Sequence, residues 1–285
     1  MGERLLFPGL MAAFVAAVVL ASGAGPVGFF VAATAIIVVL LGVERVRPLV
    51  GQGTTLDDPQ AAGDLGHTVL ASMSAQASDA VMLAAGAAAA GYVGRVWGLA
   101  LWPVSWPYVV QGVLVVVLVD GVEYWRHRLL HRVSWLWPLH ALHHSVDRFH
   151  VLKSGRNTFA DMATRSIVVY APLAALGVPT ELLLWYPLAL LVLGPLDHSD
   201  VDLPVPRFLQ YLIVTPLEHR LHHARDVRLC DGNFAPVTPL WDIVFGTFHD
   251  PQATPPPPVG IEHDPLPQSF VEQALSPFLW RRFAH

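Results

Sequence analysis

Long apolar runs constrain this chain more than any other feature of its sequence. A helix that crosses the hydrocarbon core of a membrane needs about 20 mostly apolar residues. Only 14% of the 285 residues are charged, whereas soluble domains average about 25%. Four apolar runs lie roughly at residues 5–21, 27–43, 68–94 and 107–119. The sequence therefore predicts an all-α integral membrane helical bundle, with about four spans in residues 1–119.

The first two runs are interpreted as a retained helical hairpin and not as a signal peptide. No Ala-x-Ala site precedes a polar chain, and the second run follows the first at once. A later apolar pair, residues 167–176 and 182–194, is interrupted by Pro179. Each half is too short to span by itself, so two crossings and a re-entrant hairpin at about 167–194 both remain open.

Basic residues indicate how the chain is oriented in the membrane. If residue 1 lies inside, 16 of the 17 Lys and Arg residues, from Arg4 onward, fall on inside segments, and only Arg95 lies outside. Cytoplasmic loops carry such an excess of positive charge. We therefore expect a multi-pass protein whose histidine-rich part, residues 120–250, forms a helical cap on the cytoplasmic face.

The remaining composition narrows the possible classes of protein. A net charge of −5 provides no basic field for nucleic acid. The single cysteine, Cys230, excludes an internal disulfide framework and a cysteine-rich zinc module. Residues 251–285 form a proline-rich tail, in which we expect residues 251–258 to be a solvated linker and residues 269–285 a short interfacial helix.

Histidine is the residue that composition leaves unexplained, with 14 in the chain. Two His-x-x-His-His clusters are far too many to arise by chance, and positions i, i+3 and i+4 of a helix share a face. Each cluster is therefore expected to aim its imidazoles at one point, as a metal ion requires. Nine histidines belong to the clustered set: His127, His131, His140, His143, His144, His198, His219, His222 and His223.

Nine imidazoles are too many for one metal ion. A zinc ion takes three or four protein ligands, so the set predicts two metal ions with four or five imidazoles each and room for a small ligand such as oxygen. Imidazole binds iron, zinc, copper and nickel alike, so the ligands alone do not choose the metal.

Carboxylates recur beside these histidines. Asp120 lies in helical register with His127 and His131, so we expect it to accept the free N–H of a ligating imidazole. Asp79 lies inside the third apolar run, where a carboxylate is costly and functional by default. Similar imidazole partners are predicted at Asp197, Glu218, Asp226 and Asp242, whereas His150 and His249 are expected to be neighbours of the site or surface residues.

Five segments together resemble the fatty acid hydroxylase/sterol desaturase superfamily, in order and in spacing, over about residues 118–250. They are Asp120-Gly-Val-Glu-Tyr-Trp-Arg-His-Arg-Leu-Leu-His131, Trp137-Pro-Leu-His-Ala-Leu-His-His-Ser145, His198-Ser-Asp200, Pro216-Leu-Glu-His-Arg-Leu-His-His223 and Trp241-Asp-Ile-Val-Phe-Gly-Thr247. The chain departs from the usual pattern at residues 231–235, Asp-Gly-Asn-Phe-Ala in place of Asp-Lys-Asn-Tyr-Gly. It also has His198-Ser-Asp200 in place of His-Ser-Asn.

The resemblance implies an O₂-dependent lipid hydroxylase or desaturase, an oxidoreductase with a non-haem di-iron centre held by the nine clustered histidines. Zinc is a possible substitute for the two iron ions. The substrate would be a lipid from the bilayer, such as a fatty acyl, sterol, glyceryl ether or isoprenoid chain. Electrons would come from a ferredoxin, a cytochrome b5-like protein or a reductase. Nucleic acid is not an expected partner.

Two other functions stay open at this stage. A zinc-dependent membrane hydrolase would work without O₂ or a reductant, and a membrane metal-binding or transport protein would need ionisable residues along its spans. Four basic residues near the histidines are candidates to bind lipid headgroups or an acidic electron donor: Arg128, Arg148, Lys153 and Arg156. The simpler explanation of their positive charge is the positive-inside topology.

Overall fold

A computed structural model describes residues 5–23, 25–53, 55–97 and 101–283 of the chain. Arg4, which supported the predicted orientation, lies outside these residues. Every regular element in the described ranges is helical, which confirms the predicted all-α class. The helices are α1 (Leu6–Ser22), α2 (Gly25–Val46), α3 (Ala61–Trp97), α4 (Tyr108–Arg132), α5 (Trp137–His144), α6 (Phe159–Ala175), α7 (Thr180–Leu183), α8 (Trp185–Asp197), α9 (Pro216–His222), α10 (Val227–Cys230), α11 (Leu240–Phe245), α12 (Phe270–Ala274) and α13 (Ser276–Phe283).

Within the described ranges, four helical segments are long and apolar enough to cross a membrane. They are Val27–Val46, Ala61–Trp97, Tyr108–Arg132 and Thr180–Asp197, and the apolar helix Leu6–Ala21 is somewhat shorter. Their many exposed valines and leucines suit contact with lipid, as in a membrane protein. The apolar core between the helices joins α1 and α2 to α8, with Phe7, Phe14, Ile36, Leu40 and Leu196 all buried.

The pairing of α3 with α6 is the largest helix contact in the fold. It depends on small residues, because a Cβ added to Gly86 would lie 2.4 Å from the Cβ of Ala174 and 2.8 Å from the carbonyl oxygen of Ala171. Small residues allow helix backbones to approach closely in membranes. Gly86, within the alanine-rich third apolar run, therefore allows this close helix–helix contact.

Helix α4 differs from the sequence expectation, which ended the fourth span near residue 119. One continuous helix runs from Tyr108 to Arg132 and carries both the apolar run and the first pair of histidines. It continues past the apolar run because its polar residues face protein: Asp120, Glu123 and His127 are all buried. The same rigid element thus connects the spanning part to the histidine-rich part.

The solvated linker predicted at residues 251–258 is wrong at its C-terminal end. The carbonyl oxygens of Pro257 and Pro258 accept hydrogen bonds from Arg220 Nε and the Arg225 amide. Val259 is fully buried, and the Gly260 amide donates to the His223 carbonyl at 3.0 Å. Proline lacks an N–H but keeps its carbonyl acceptor, so this strand-like segment covers α9.

Candidate metal centre

The nine clustered histidines form two groups in the structure. Within each group, one ligating atom from every member lies within 4.8 Å of those of the others. The five-histidine group contains His127, His131, His140, His144 and His222, and the four-histidine group contains His143, His198, His219 and His223. Helices α4, α5 and α9, together with the residues directly after α8 and α9, provide them.

The expectation that each His-x-x-His-His cluster aims at one point is wrong. The i and i+4 members of each cluster stay together, as His140 with His144 and His219 with His223, whereas the i+3 member joins the other group. His143 therefore lies in the four-histidine group and His222 in the five-histidine group. Neighbouring helix positions point about 100° apart, so each cluster can contribute to two sites that lie side by side.

Hydrogen bonds to backbone carbonyls fix the tautomers of two histidines in the five-histidine group. His127 Nδ1 donates to the Phe234 carbonyl at 2.7 Å, and His222 Nδ1 donates to the Gly232 carbonyl at 2.8 Å. In each neutral ring the proton is then on Nδ1, and Nε2 carries a lone pair. These two Nε2 atoms face each other at 2.9 Å. Two lone pairs at that separation repel unless a cation lies between them.

The four-histidine group repeats this arrangement. Nδ1 of His198 donates to the Gly194 carbonyl at 3.1 Å, and Nδ1 of His143 donates to the Arg156 carbonyl at 3.3 Å. Their Nε2 atoms lie 3.3 Å apart, and His219 Nε2 lies 3.1 Å from Nε2 of both His198 and His223. Since a neutral ring carries one proton, these contacts cannot all be hydrogen bonds.

The donor set fits two metal ions. Imidazole nitrogens bound at about 2.0–2.1 Å, with angles of roughly 90–110° between them, lie about 2.9–3.4 Å apart, as the Nε2 atoms do here. Three further buried Nε2 atoms, those of His131, His140 and His144, have no hydrogen-bond partner among the described residues. Burial lowers the pKa of His222 to about 3 and that of His198 to about 4. The rings are therefore neutral near pH 7, as metal ligands must be.

Asp161 is a site residue that the sequence analysis missed. Its Oδ2 accepts a hydrogen bond from His140 Nδ1 at 2.8 Å, and its Oδ1 forms an ion pair with Arg126. Burial would raise the pKa of this carboxyl, but the Arg126 guanidinium and His140 outweigh burial and hold the pKa well below its usual range. The sequence near Asp161 gave little sign of this role. Asp161 lies three residues after Thr158, the N-cap of α6, and carboxylates are common in the first turn of any helix.

Asp120 does not accept an imidazole N–H, contrary to the prediction. Its carboxylate accepts from the backbone amides of Val237 and Thr238 at 3.0 and 3.2 Å and from the Tyr186 hydroxyl. Seven residues separate it from His127, which is a rise of about 10.5 Å along a helix. The two residues share a face, but the histidine is out of reach.

The other predicted imidazole partners also differ from expectation. Asp226 caps α10 and pairs with Arg228 at the surface. Asp197 and Glu218 are buried, and neither forms a hydrogen bond through its carboxylate to any histidine among the described residues. Each directly precedes a histidine, and successive residues of a helix do not face each other.

Asp242 supports the site indirectly. Its oxygens accept from the amides of Phe234 and Ala235 at 2.9 and 2.8 Å. This holds the loop 231–235, whose carbonyls at Gly232 and Phe234 orient two histidines. The segment that departs from the family pattern is therefore the one that fixes His127 and His222. A Cβ on Gly232 would lie 2.4 Å from the His249 ring, so the loop has no space for a side chain there.

Two of the basic residues proposed to bind headgroups or an electron donor are unavailable, so that prediction is wrong for them. Lys153 is fully buried between Asp58 and Asp64, at 2.7 and 2.8 Å, and Arg156 pairs with Asp64 at 2.7 Å. Arg148 lies nearer the surface, beside Asp147.

The remaining residues predicted near the site make hydrogen bonds within the protein. Arg128 donates to the Tyr124 hydroxyl at 3.0 Å. His150 Nε2 donates to the Asp58 carboxylate at 2.8 Å, and the His249 amide donates to Asn233 Oδ1 at 2.8 Å.

A cavity of about 420 Å³ leads from the histidines into the helical bundle. Both histidine groups contribute to its wall, through His127 and His140 of the first and His143, His198 and His219 of the second. Ligand pockets in proteins usually measure about 300–1,000 Å³, so a small part of a lipid molecule fits beside the histidines.

Comparisons with known proteins agree on one family. The family model "Fatty acid hydroxylase" matches residues 112–247. Ornithine lipid hydroxylase OlsE of Rhizobium tropici is 34% identical over 177 residues, which are 62% of this chain and 53% of that protein. Human alkylglycerol monooxygenase is 32% identical over 130 residues, 46% of this chain and 28% of its own length. No solved structure matches the chain.

A very-long-chain aldehyde decarbonylase of Oryza sativa is also similar, at 30% identity over 152 residues. The chain spans about half, or less, of the length of these relatives. The likeness is concentrated where the site lies, because residues 112–247 contain all nine histidines of both groups. Over this part, the chain is similar to the fatty acid hydroxylase family.

Proposed function

We propose that the chain is a membrane-bound non-haem di-iron oxygenase that hydroxylates a C–H bond of a lipid. The observation that carries the proposal is the pair of histidine groups whose Nε2 lone pairs converge at 2.9–3.3 Å. Desaturation uses the same ligands. We favour hydroxylation because two similar proteins are named as a lipid hydroxylase and a monooxygenase.

The nine histidines would bind two iron ions, five imidazoles at one and four at the other, with zinc as a substitute. Bound iron would supply the activation of O₂ and the oxidation of the C–H bond. In hydroxylation, one oxygen atom enters the C–H bond and the other leaves as water, with two electrons and two protons consumed. The protein would orient the imidazoles through the carbonyls of Gly232, Phe234 and Gly194 and through Asp161.

The cavity would bring the lipid to this centre from the bilayer. Most of its lining residues come from α3, α4, α6 and α8, and three of the segments long enough to span contribute to them: Ala61–Trp97, Tyr108–Arg132 and Thr180–Asp197. We further propose a multi-pass topology with the histidines on the cytoplasmic side, as the distribution of basic residues predicts. A soluble electron donor such as a ferredoxin, a cytochrome b5-like protein or a reductase would then meet the protein at that face.

The test compares total lipids from cells with and without the protein under ¹⁸O₂. We expect one lipid class to gain one oxygen atom, about 16 mass units for ordinary O₂ and about 18 for the heavy isotope. The variant His198→Ala should abolish the product, and Asp226→Asn, a surface change, should preserve it. A product that forms without O₂ or reductant would instead support a zinc hydrolase. Metal uptake by liposomes without lipid oxidation would support a transport protein.

A further inference from the structure

The cavity contains two opposite charges that do not pair with each other. Asp79 of α3 and Arg165 of α6 both line it. Asp79 accepts a hydrogen bond at Oδ1 from Ser166, and its Oδ2 has no hydrogen-bond partner among the described residues. Arg165 lies 3.4 Å from Glu123 through Nε and above the Tyr186 ring. Its guanidinium makes no hydrogen bond within the described part of the chain.

Such an arrangement is costly in a membrane protein unless it has a purpose. An ionisable residue within a spanning helix normally pairs or lies against a functional cavity, and unpaired polar groups away from water lose free energy. Asp79 is in the middle of α3, the 37-residue helix. Tyr170, one helical turn beyond Ser166, adds to the same wall a hydroxyl that makes no hydrogen bond to any described residue.

The polar wall is close to the histidines. Asp161, which holds His140, and Arg165 are four residues apart on α6, a rise of about 6 Å. A continuous chain of charged contacts connects them, from Asp161 to Arg126, from Arg126 to Glu123 and from Glu123 to Arg165. A lipid with a reactive carbon beside the histidines would therefore place nearby atoms against Asp79 and Arg165.

We propose that Asp79 and Arg165 form a polar subsite for the substrate, one that receives a group able to donate one hydrogen bond and accept another. This inference rests on the proposed function and specifies its substrate class. Asp79 accepts the donated hydrogen, and Arg165 donates to the acceptor. A secondary amide and an alcohol have this chemistry, whereas a plain hydrocarbon chain would leave Oδ2 of Asp79 and the guanidinium N–H groups of Arg165 without hydrogen-bond partners among the described residues. The oxidised carbon is then close to the polar group of the lipid.

The test measures binding to the iron-loaded protein in lipid nanodiscs without O₂, so that no turnover is needed. The probes are two matched pairs with a common chain length. An N-alkyl amide is compared with the ketone that has CH₂ in place of N–H, and a fatty alcohol is compared with its methyl ether. A hydrogen bond to a charged group corresponds to roughly tenfold or more in affinity. We expect one donor probe to bind at least about tenfold more tightly than its partner, which also identifies the group.

Variants separate the role of Asp79 from a structural one. Asp79→Leu should abolish the preference within the pair, and Ser166→Ala, which keeps the carboxylate, should retain it. Arg165→Gln should weaken the binding of both probes of a pair about equally, because both probes keep the acceptor oxygen to which Arg165 would donate. Equal binding of both members by the unaltered protein, no binding of either, or a preference that survives Asp79→Leu would each overturn the inference.

Failure of the subsite and failure of the proposed function give different results. If the protein hydroxylates lipids under O₂ and reductant but shows no preference within either pair, only the subsite is refuted. If it prefers the donor probes but oxidises no lipid, the proposed function is refuted and the subsite stands.

Discussion

Replacing Asp161 by asparagine tests whether this buried carboxylate positions a histidine of the metal centre. The unaltered residue accepts from His140 Nδ1 at 2.8 Å through one oxygen and pairs with Arg126 through the other. Asparagine has one acceptor oxygen, so its NH₂ group must face either the guanidinium or the imidazole N–H. Either orientation removes one attraction and adds a repulsion in a fully buried place.

The expected loss follows from what hydrogen bonds of this kind contribute at metal sites. Removing the partner of a ligating histidine typically lowers metal affinity about 10- to 100-fold, which is about 1.4–2.7 kcal/mol. Competition with a chelator, followed by metal analysis of the purified protein, measures the change. Asp226→Asn is the matched control, because that carboxylate is at the surface and pairs with Arg228. An Asp161→Asn protein with unchanged affinity, or an equal loss in the control, would refute the reasoning.

Two further predictions concern stability. Gly86→Ala should destabilise the fold by about 1–3 kcal/mol, because the added Cβ would lie 2.4 Å from the Cβ of Ala174. The control Gly63→Ala, whose added Cβ would meet no atom within 4 Å, should be neutral or stabilising by about 0.5–1 kcal/mol. Thermal unfolding in detergent measures both variants. The metal-free protein should lose stability as pH falls from about 6.5 toward 4, and keep it above 6.5. Burial lowers the folded-state pKa of His198 and His222 to about 4 and about 3, so the unfolded chain binds more protons in that window; a midpoint that is constant between pH 7 and 4 would contradict this.

The sequence predicted the identity of the clustered histidines but not how they divide. Spacing of three and four residues showed that His140, His143 and His144 belong to one helical turn. It could not show that His143 joins a different group from its neighbours. That division depends on how α5, α9 and the end of α8 pack around one another, which local periodicity does not specify.

Hydrogen-bond partners of the histidines were the least predictable part of the site. The acceptors expected from the sequence were acidic residues close to the histidines along the chain, such as Asp120 and Glu218. The observed acceptors are instead Asp161, 21 residues from His140, and backbone carbonyls such as that of Phe234, 107 residues from His127. A backbone carbonyl leaves no signature in a sequence, because every residue has one. The apolar runs were more informative, since membrane spans depend on length and composition alone.

The number of iron ions bound per chain tests the central claim most directly. The measurement is metal analysis of the purified protein after anaerobic loading with iron, beside a variant in which both His198 and His219 are alanine. The division of the histidines into groups of five and four predicts two iron ions in the unaltered protein and one in the variant, which keeps all members of the five-histidine group. One iron ion per chain in the unaltered protein, or two retained in the variant, would contradict the account.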